Sequence, residues 1–341
     1  MRYRLTLTPL TPVHIGSGEV IDPFEYVILD RLIHFRPEQF LRRLDQWQQE
    51  RFLRLAANDI LVMREFVRNR EEAIRQSTDY SFSVHPRARA VYEERLKNIH
   101  SDLSVHPCIR TSGLPFIPGS SLKGALRTAL LFDRAGKPVQ EYNGRKLEAE
   151  TLGCGRYNRQ GRFLGLDASL DPFRLLKTGD SQATGECSSL QVITVHTWSK
   201  GRWQDDIPML REVVHGRLTD GDGPIFVHTL QTVPHTVTGK TAITADQVIH
   251  GCRLFYDTHL EEEKKFLRTF PEAHAWYVEL EKTRQGLADN AFLLRFGWGS
   301  GFDGVTVNYA RSSREYKRSR RLTTDAAPLG WVEITISEQG E

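Results

Sequence analysis

Several things are scarce in this sequence. Its four cysteines, Cys108, Cys154, Cys187 and Cys252, lie far apart and form no CxxC pair. That excludes a zinc knuckle and a disulfide framework. No apolar run reaches the roughly 18 residues needed to cross a bilayer. The start, MRYRLTLTPLTPVHIG, has no apolar h-region and no small-residue cleavage site. A cytoplasmic protein without membrane attachment is expected. Glycine is absent from 19 to 112 although the chain has 26 of them, which favours long helices over turns in that block. None of the twelve histidines forms HExxH or a tight His/Asp cluster, and neither a GxSxG elbow nor a GxxxxGK[ST] loop occurs. Neither a metal nor a cofactor is expected.

What is present suits a globular protein. The 341 residues fit one large or two moderate domains, and 39% hydrophobic residues suffice for a core. The net charge of +3 is unevenly spread. From Arg295 to Arg321 seven Arg/Lys stand against Asp303 and Glu315. This local excess of five leaves the rest slightly acidic. Arg295, Arg311, Arg314, Lys317 and Arg318 thus form a candidate phosphate-binding surface, or else a solvated loop.

Hydrophobic periodicity divides the chain. Residues 2–8 alternate as a strand. Tyr26–Leu29 and Leu32–Phe35 read as a hairpin about Asp30-Arg31. From Glu38 to about Leu103 the spacing is helical. A helix starts at Ser120-Ser121, and 133–185 reads as loops with short elements. Leu190–Trp198, Ile225–Val233 and Cys252–Tyr256 read as strands, rich in β-branched and aromatic residues. Leu260 to about Leu287 reads as one charged amphipathic helix. Phe292–Phe296 and Trp331–Ile336 read as strands. The order is β-rich, helical, then α+β, without the βαβ rhythm of a doubly wound sheet.

Three glycine-bearing segments carry the functional signal. In Leu114–Leu130, Pro118-Gly119 makes a turn and Ser120 or Ser121 is placed to cap a helix. Lys123 and Arg127, four apart, share a face, and a helix start suits phosphate. The same residues also describe a plain capped helix with a packing glycine at Gly124. In TPVHIGSG, the turn Gly16-Ser17-Gly18 admits a close ligand backbone, and His14 either bonds a nucleotide or only holds the loop. In GWGSGFDG, Gly299, Gly301 and Gly304 match GxGxxG, but Val305-Thr306-Val307 follows where a dinucleotide site needs a helix. The alternatives for that loop are a β-turn in a core corner, or backbone N–H groups at Gly299, Ser300 and Gly301 on phosphates with Trp298 stacking on bases. Asp22 is a weak catalytic candidate, placed to act on a 2′-OH, or simply part of an Asp-Pro turn.

TPVHIGSG, IPGSSLKGALR and GWGSGFDG, in this order, resemble the RAMP superfamily, the repeat-associated proteins of CRISPR effector complexes. The helical insert between the first two segments looks most like the fifth-subunit family of the type III-A Csm complex. The resemblance implies an α+β fold of ferredoxin-like (RRM-like) modules with antiparallel sheets. One module takes 1–36 and 104–170, a helical insertion 37–103, and a second α+β module 171–341. It implies a non-catalytic, RNA-binding subunit at the end of the backbone filament, over the 3′ part of the CRISPR RNA. A role in maturation of that end and in antiviral defence goes with it. The implied partners are the CRISPR RNA, a neighbouring backbone RAMP subunit and host nucleases that trim the 3′ end. A paralogue in such complexes cuts target RNA with an aspartate in the loop after its first motif. Asp22 falls in the comparable loop, but Asp22-Pro23-Phe24, a shorter glycine run and the long insertion depart from it. That activity is not carried over. The alternative is an endoribonuclease acting through Asp22 with a metal or through His14 without one.

Overall fold

The structure is a computed structural model that describes residues 1–98, 100–136, 144–184, 190–221, 223–233, 242–304 and 319–339. The strand Arg2–Pro9 alternates as its sequence requires. Tyr3, Leu5 and Leu7 are buried while Arg2 and Arg4 face out. It lies at the centre of an antiparallel sheet, between Ile225–Thr232 on one side and Trp331–Glu338 on the other. Leu176–Thr178 and Ala291–Arg295 complete the order at the two edges. A strand from 1–36 is thereby shared with strands from 171–341.

Two helices, Gly119–Ala135 and Ala245–Phe266, pack on each other and contribute to the largest core together with the strands of this sheet. The second helix contains Cys252–Tyr256, which sequence reading makes a strand. Thr244 opens it with a capping box to Gln247, and Val248, Cys252, Phe255 and His259 recur on its buried stripe. A short apolar run fits either period, and here the helical one prevails. The expected single helix 260–287 is also divided. The first helix ends at Phe266, and Pro271, which has no N–H to continue a ladder, opens a second at Pro271–Gln285.

A second sheet runs Tyr26–Ile28, Leu32–Phe35, Thr78–Val84, Leu190–Ser199, Arg202–Val214 and Val105–His106, with Ser319–Thr323 added beside Leu190–Ser199. It is mainly antiparallel, with short parallel pairs at Val192↔Val84 and Leu210↔Val105. The hairpin about Asp30-Arg31 is present as expected. The described residues of 37–103 hold five helices, but Thr78–Val84 among them is a strand. Its Phe82 and Val84 alternate inward, a period of two that the lack of glycine does not reveal. The helices of this block bury Phe40, Phe52, Phe66 and Ile74 against Val27, Ile33 and Phe35. The whole is α+β with curled sheets in the ferredoxin-like manner. No helix among the described residues is long and apolar enough to cross a membrane.

Candidate nucleic-acid interface

The turn after the first strand is clamped from two sides. Val13 exchanges backbone bonds with Val214, and Ile15 and Ser17 pair with Ile109 and Pro107. This drives His14 inward until it is buried. Its Nδ1 lies 2.6 Å from the Glu212 carbonyl, and Cys108 Sγ is 3.7 Å away. Burial pushes the His14 pKa down to about 4, so the ring is neutral near pH 7. Gly16, Ser17 and Gly18 remain at the surface.

Under this turn sits Glu212, buried, with Oε2 accepting from the Cys108 N–H at 2.6 Å and from Arg110. Burial raises its pKa, against the pull of Arg110. The Arg110 guanidinium also lies 4.6 Å from the Phe82 ring centre. His14 is therefore a structural anchor in a polar core, consistent with the loop-holding alternative.

The late glycine loop stacks on the same turn. Trp298 donates its N–H to the His14 carbonyl at 2.9 Å. Gly297 has φ +84, and a Cβ there would come within 2.7 Å of the His14 oxygen. Only glycine meets both conditions. Arg295 holds the loop from behind. It is buried, and donates to Leu329 O, Gly299 O, His259 and Glu263. Sequence reading places Arg295 on a phosphate-facing surface; the structure places it in the core, because Glu263 offers a carboxylate there. Burial alone would raise the Glu263 pKa, but Arg320, His259 and Arg295 hold it well below the usual carboxylate range.

Trp298 packs against the sheet face carrying Ile193, Val195 and Val213. Arg211 lies 4.1 Å and Arg321 6.0 Å from its ring centre. Register explains the convergence, since Arg211 is opposite Ile193 and Arg321 opposite Thr197, two positions of one face. Arg321 donates to Thr197 Oγ1. Neither arginine makes an ion pair with a described residue, and the Arg211 Nε is buried without a partner. Burial, then the charge of Arg321, lowers the Arg211 pKa to about 10. Two cations beside one aromatic ring, neither of them ion-paired to a described residue, leave a place for an anion. Sequence reading misses Arg211, and has Arg321 only as the end of the basic run. The available signal is MLREVV at 209–214, where an arginine occupies an apolar-face position between Met209 and Val213.

The middle segment lies elsewhere. Helix Gly119–Ala135 has Pro118 at its N-cap and no side-chain cap. The expected Ser120 or Ser121 cap is replaced by Asp180, whose Oδ1 accepts from the Gly119 N–H at 2.8 Å. The chain thus supplies its own anion at this helix start. Ser120 is exposed and Ser121 half-buried. Gly124 faces open space, not a close-packed strand. Arg127 is bound by Glu148 and by Asp171 at 2.8 Å. Burial lowers the Lys123 pKa, partly offset by Asp171. Turns 14–18 and 297–301 are therefore brought together, while the 117–127 segment bonds to residues at 148 and 171–181. Asp22 lies in a turn closed by the Glu25 N–H on the Asp22 carbonyl at 2.9 Å, as its Asp-Pro alternative requires. Arg311, Arg314, Lys317 and Arg318 lie outside the described residues. Among the described residues no cluster of three His, Cys, Asp or Glu side chains forms a metal site.

A fold of curled sheets with paired glycine turns defines a class, and comparison agrees. The RAMP superfamily model matches residues 6–302, and the chain belongs to that superfamily. Within it two curated relatives carry one name. The chain is 25% identical over 320 residues to the CRISPR system Cms protein Csm5 of Methanocaldococcus jannaschii, covering 87% of this chain and 71% of that one. It is 30% identical over 141 residues to the protein of the same name from Streptococcus thermophilus, 38% of each chain. The crystal structure of T. onnurineus Csm5 superposes with a TM-score of 0.70 at 19% identity, covering 96% of this chain and 99% of that one. A chain of the Csm–crRNA–target RNA ternary complex of a type III-A CRISPR-Cas system gives 0.70 at 20% identity, covering 99% and 100%. At those identities the two structures show a shared fold.

Proposed function

We propose that the chain is the Csm5-like subunit of a type III-A CRISPR effector. It binds CRISPR RNA, caps the backbone over the 3′ part of that RNA beside a neighbouring backbone RAMP subunit, and supports maturation of the 3′ end in antiviral defence. Similarity to Csm5 over 87% of the chain supports the seat in such a complex. The observation that carries RNA binding is the pair Arg211 and Arg321 about Trp298, which lacks a protein counter-ion among the described residues. Phosphates supply the missing charge and a base stacks beside the indole. The exposed turn Gly16-Ser17-Gly18 and the loop Gly299-Ser300-Gly301 frame this spot, and Lys123 adds charge from the middle helix. The subunit does no chemistry of its own in this reading, and trimming falls to host nucleases.

The test is to purify the assembled complex with and without this chain and to sequence the RNA it holds. Lengthened or heterogeneous 3′ ends in its absence are expected. Identical ends in both preparations reject the maturation role.

A further inference from the structure

The stretch after the helix Gly144–Leu152 forms an antiparallel hairpin of Gly155–Tyr157 and Phe163–Leu166. Its base is fixed. Cys154 is buried, its N–H bonds the Ala149 carbonyl at 2.9 Å, and its own carbonyl accepts from Asp167 at 2.7 Å. The tip is fixed as well, because the Asn158 Oδ1 accepts from the N–H groups of Gln160 and Arg162 at 3.0 and 2.8 Å.

This ordered element carries an unusual surface. Arg156, Arg159 and Arg162 are all exposed. No Asp or Glu occurs from Thr151 to Leu166, and none of the three arginines makes an ion pair with a described residue. The next carboxylate, Asp167, accepts from the Ser169 N–H at 2.9 Å and hydroxyl at 2.6 Å. Tyr157, itself exposed, lies 5.7 Å from Phe163, centre to centre. The Tyr157 ring occupies the space that a Cβ on Gly155 would fill, at 2.5 Å. Gly165 has φ +141, a backbone region that L side chains rarely adopt. Gly155 thus seats the ring on a short hairpin that leaves both Tyr157 and Arg156 exposed.

We propose that this hairpin is a second RNA contact, with its three arginines on the sugar–phosphate backbone of a single strand and its ring pair against unstacked bases. The proposal rests on the RNA-binding reading above. Arginine forks match phosphate oxygens, and interleaved aromatic rings favour a nucleic acid over an acidic protein surface.

The experiment uses the full-length chain and two labelled probes, a single-stranded RNA and a duplex RNA of equal length. Arg156→Gln, Arg159→Gln and Arg162→Gln are combined. Removing one phosphate-binding cation from a single-strand complex lowers the slope of log affinity against log salt by about 0.7. The triple variant is expected to drop by about 2 in that slope and to bind the single strand about tenfold more weakly or worse, with an unchanged melting temperature. Tyr157→Ala is expected to weaken binding severalfold with the slope retained, and the duplex probe to be less affected. If the triple variant binds like wild type while Arg211→Gln does not, the hairpin proposal fails and RNA binding stands. Wild type that ignores both probes at low salt overturns both. A triple variant that keeps its RNA affinity but no longer joins the assembled complex assigns the hairpin to an acidic protein partner and overturns the RNA contact.

Discussion

Trp298 and His14, from opposite ends of the chain, are joined by one backbone hydrogen bond of 2.9 Å. That bond makes a single surface of two glycine turns, and Gly297 permits it by bringing its Cα against the His14 oxygen. Gly297→Ala forces a methyl group to 2.7 Å from that oxygen in a backbone region costly for L-residues. A loss of about 1–3 kcal/mol is expected in urea unfolding, with weaker RNA binding. An unchanged midpoint would show that the turns do not depend on each other.

Acid should destabilise the fold between about pH 6.5 and 4. Unfolded His14 takes its proton near its ordinary pKa of 6.5, whereas in the folded chain burial delays this to about 4. The unfolded state therefore binds the proton first as pH falls, and stability drops across that window. His259, buried with its pKa near 3, acts in the same direction. His14→Gln should flatten the decline by about 1–3 kcal/mol in denaturation series at stepped pH. An identical slope in the variant would refute the assignment.

Glu263 binds two buried arginines. Its carboxylate faces Arg295 at 3.1 Å and also pairs with Arg320, itself 2.8 Å from Asp303. Glu263→Gln leaves the two cations short of a counter-ion in the core. Breaking such a group costs about 3–5 kcal/mol, readable as a shifted denaturant midpoint. Arg295→Met should lower stability while leaving the salt slope of RNA binding intact, which separates a core arginine from a phosphate contact.

Arg211→Gln and Arg321→Gln should each lower the RNA salt slope by about 0.7. Lys123→Ala should do the same if the middle helix touches RNA. Arg127→Ala is expected instead to cost about 1 kcal/mol of stability through Glu148 and Asp171. Fluorescence anisotropy at several salt concentrations distinguishes these effects. A slope unchanged in the Arg211, Arg321 and Lys123 variants would remove those residues from the interface.

Purified protein incubated with repeat RNA and with guide-paired target RNA, with and without Mg²⁺, should leave both intact. Cleavage that disappears in Asp22→Ala would reverse the non-catalytic reading. Cleavage without metal that disappears in His14→Ala would do so by a different route.

The first and last strands of the chain and the hairpin at Asp30-Arg31 were legible because period-two alternation and local turn chemistry are written in consecutive residues. The two glycine turns were legible as segments, but not their contact, which depends on the pairing of Val13 with Val214. Arg211 looks ordinary in sequence and Arg321 reads only as the end of a basic run; sheet register is what brings both to Trp298. Arg295 misled for the opposite reason. Its charge is visible in the sequence, whereas its partner Glu263 is on a helix far along the chain. Cys252–Tyr256 misled because five apolar-rich residues fit two periods until the Thr244 cap is weighed.

The first strand has a consequence for how the protein is made. Among the described residues Arg2–Pro9 pairs with Ile225–Thr232 and Trp331–Glu338. At about 5–20 residues per second of synthesis, it waits roughly 10–45 s for the first of them, and longer for the second. During that interval Tyr3, Leu5 and Leu7 belong to a segment with two open hydrogen-bonding edges, the geometry that invites pairing with other chains. Lower growth temperatures or a holding chaperone should therefore raise soluble yield more than any change at Arg211 or Arg321, because the earliest strand synthesised is among the last to be enclosed.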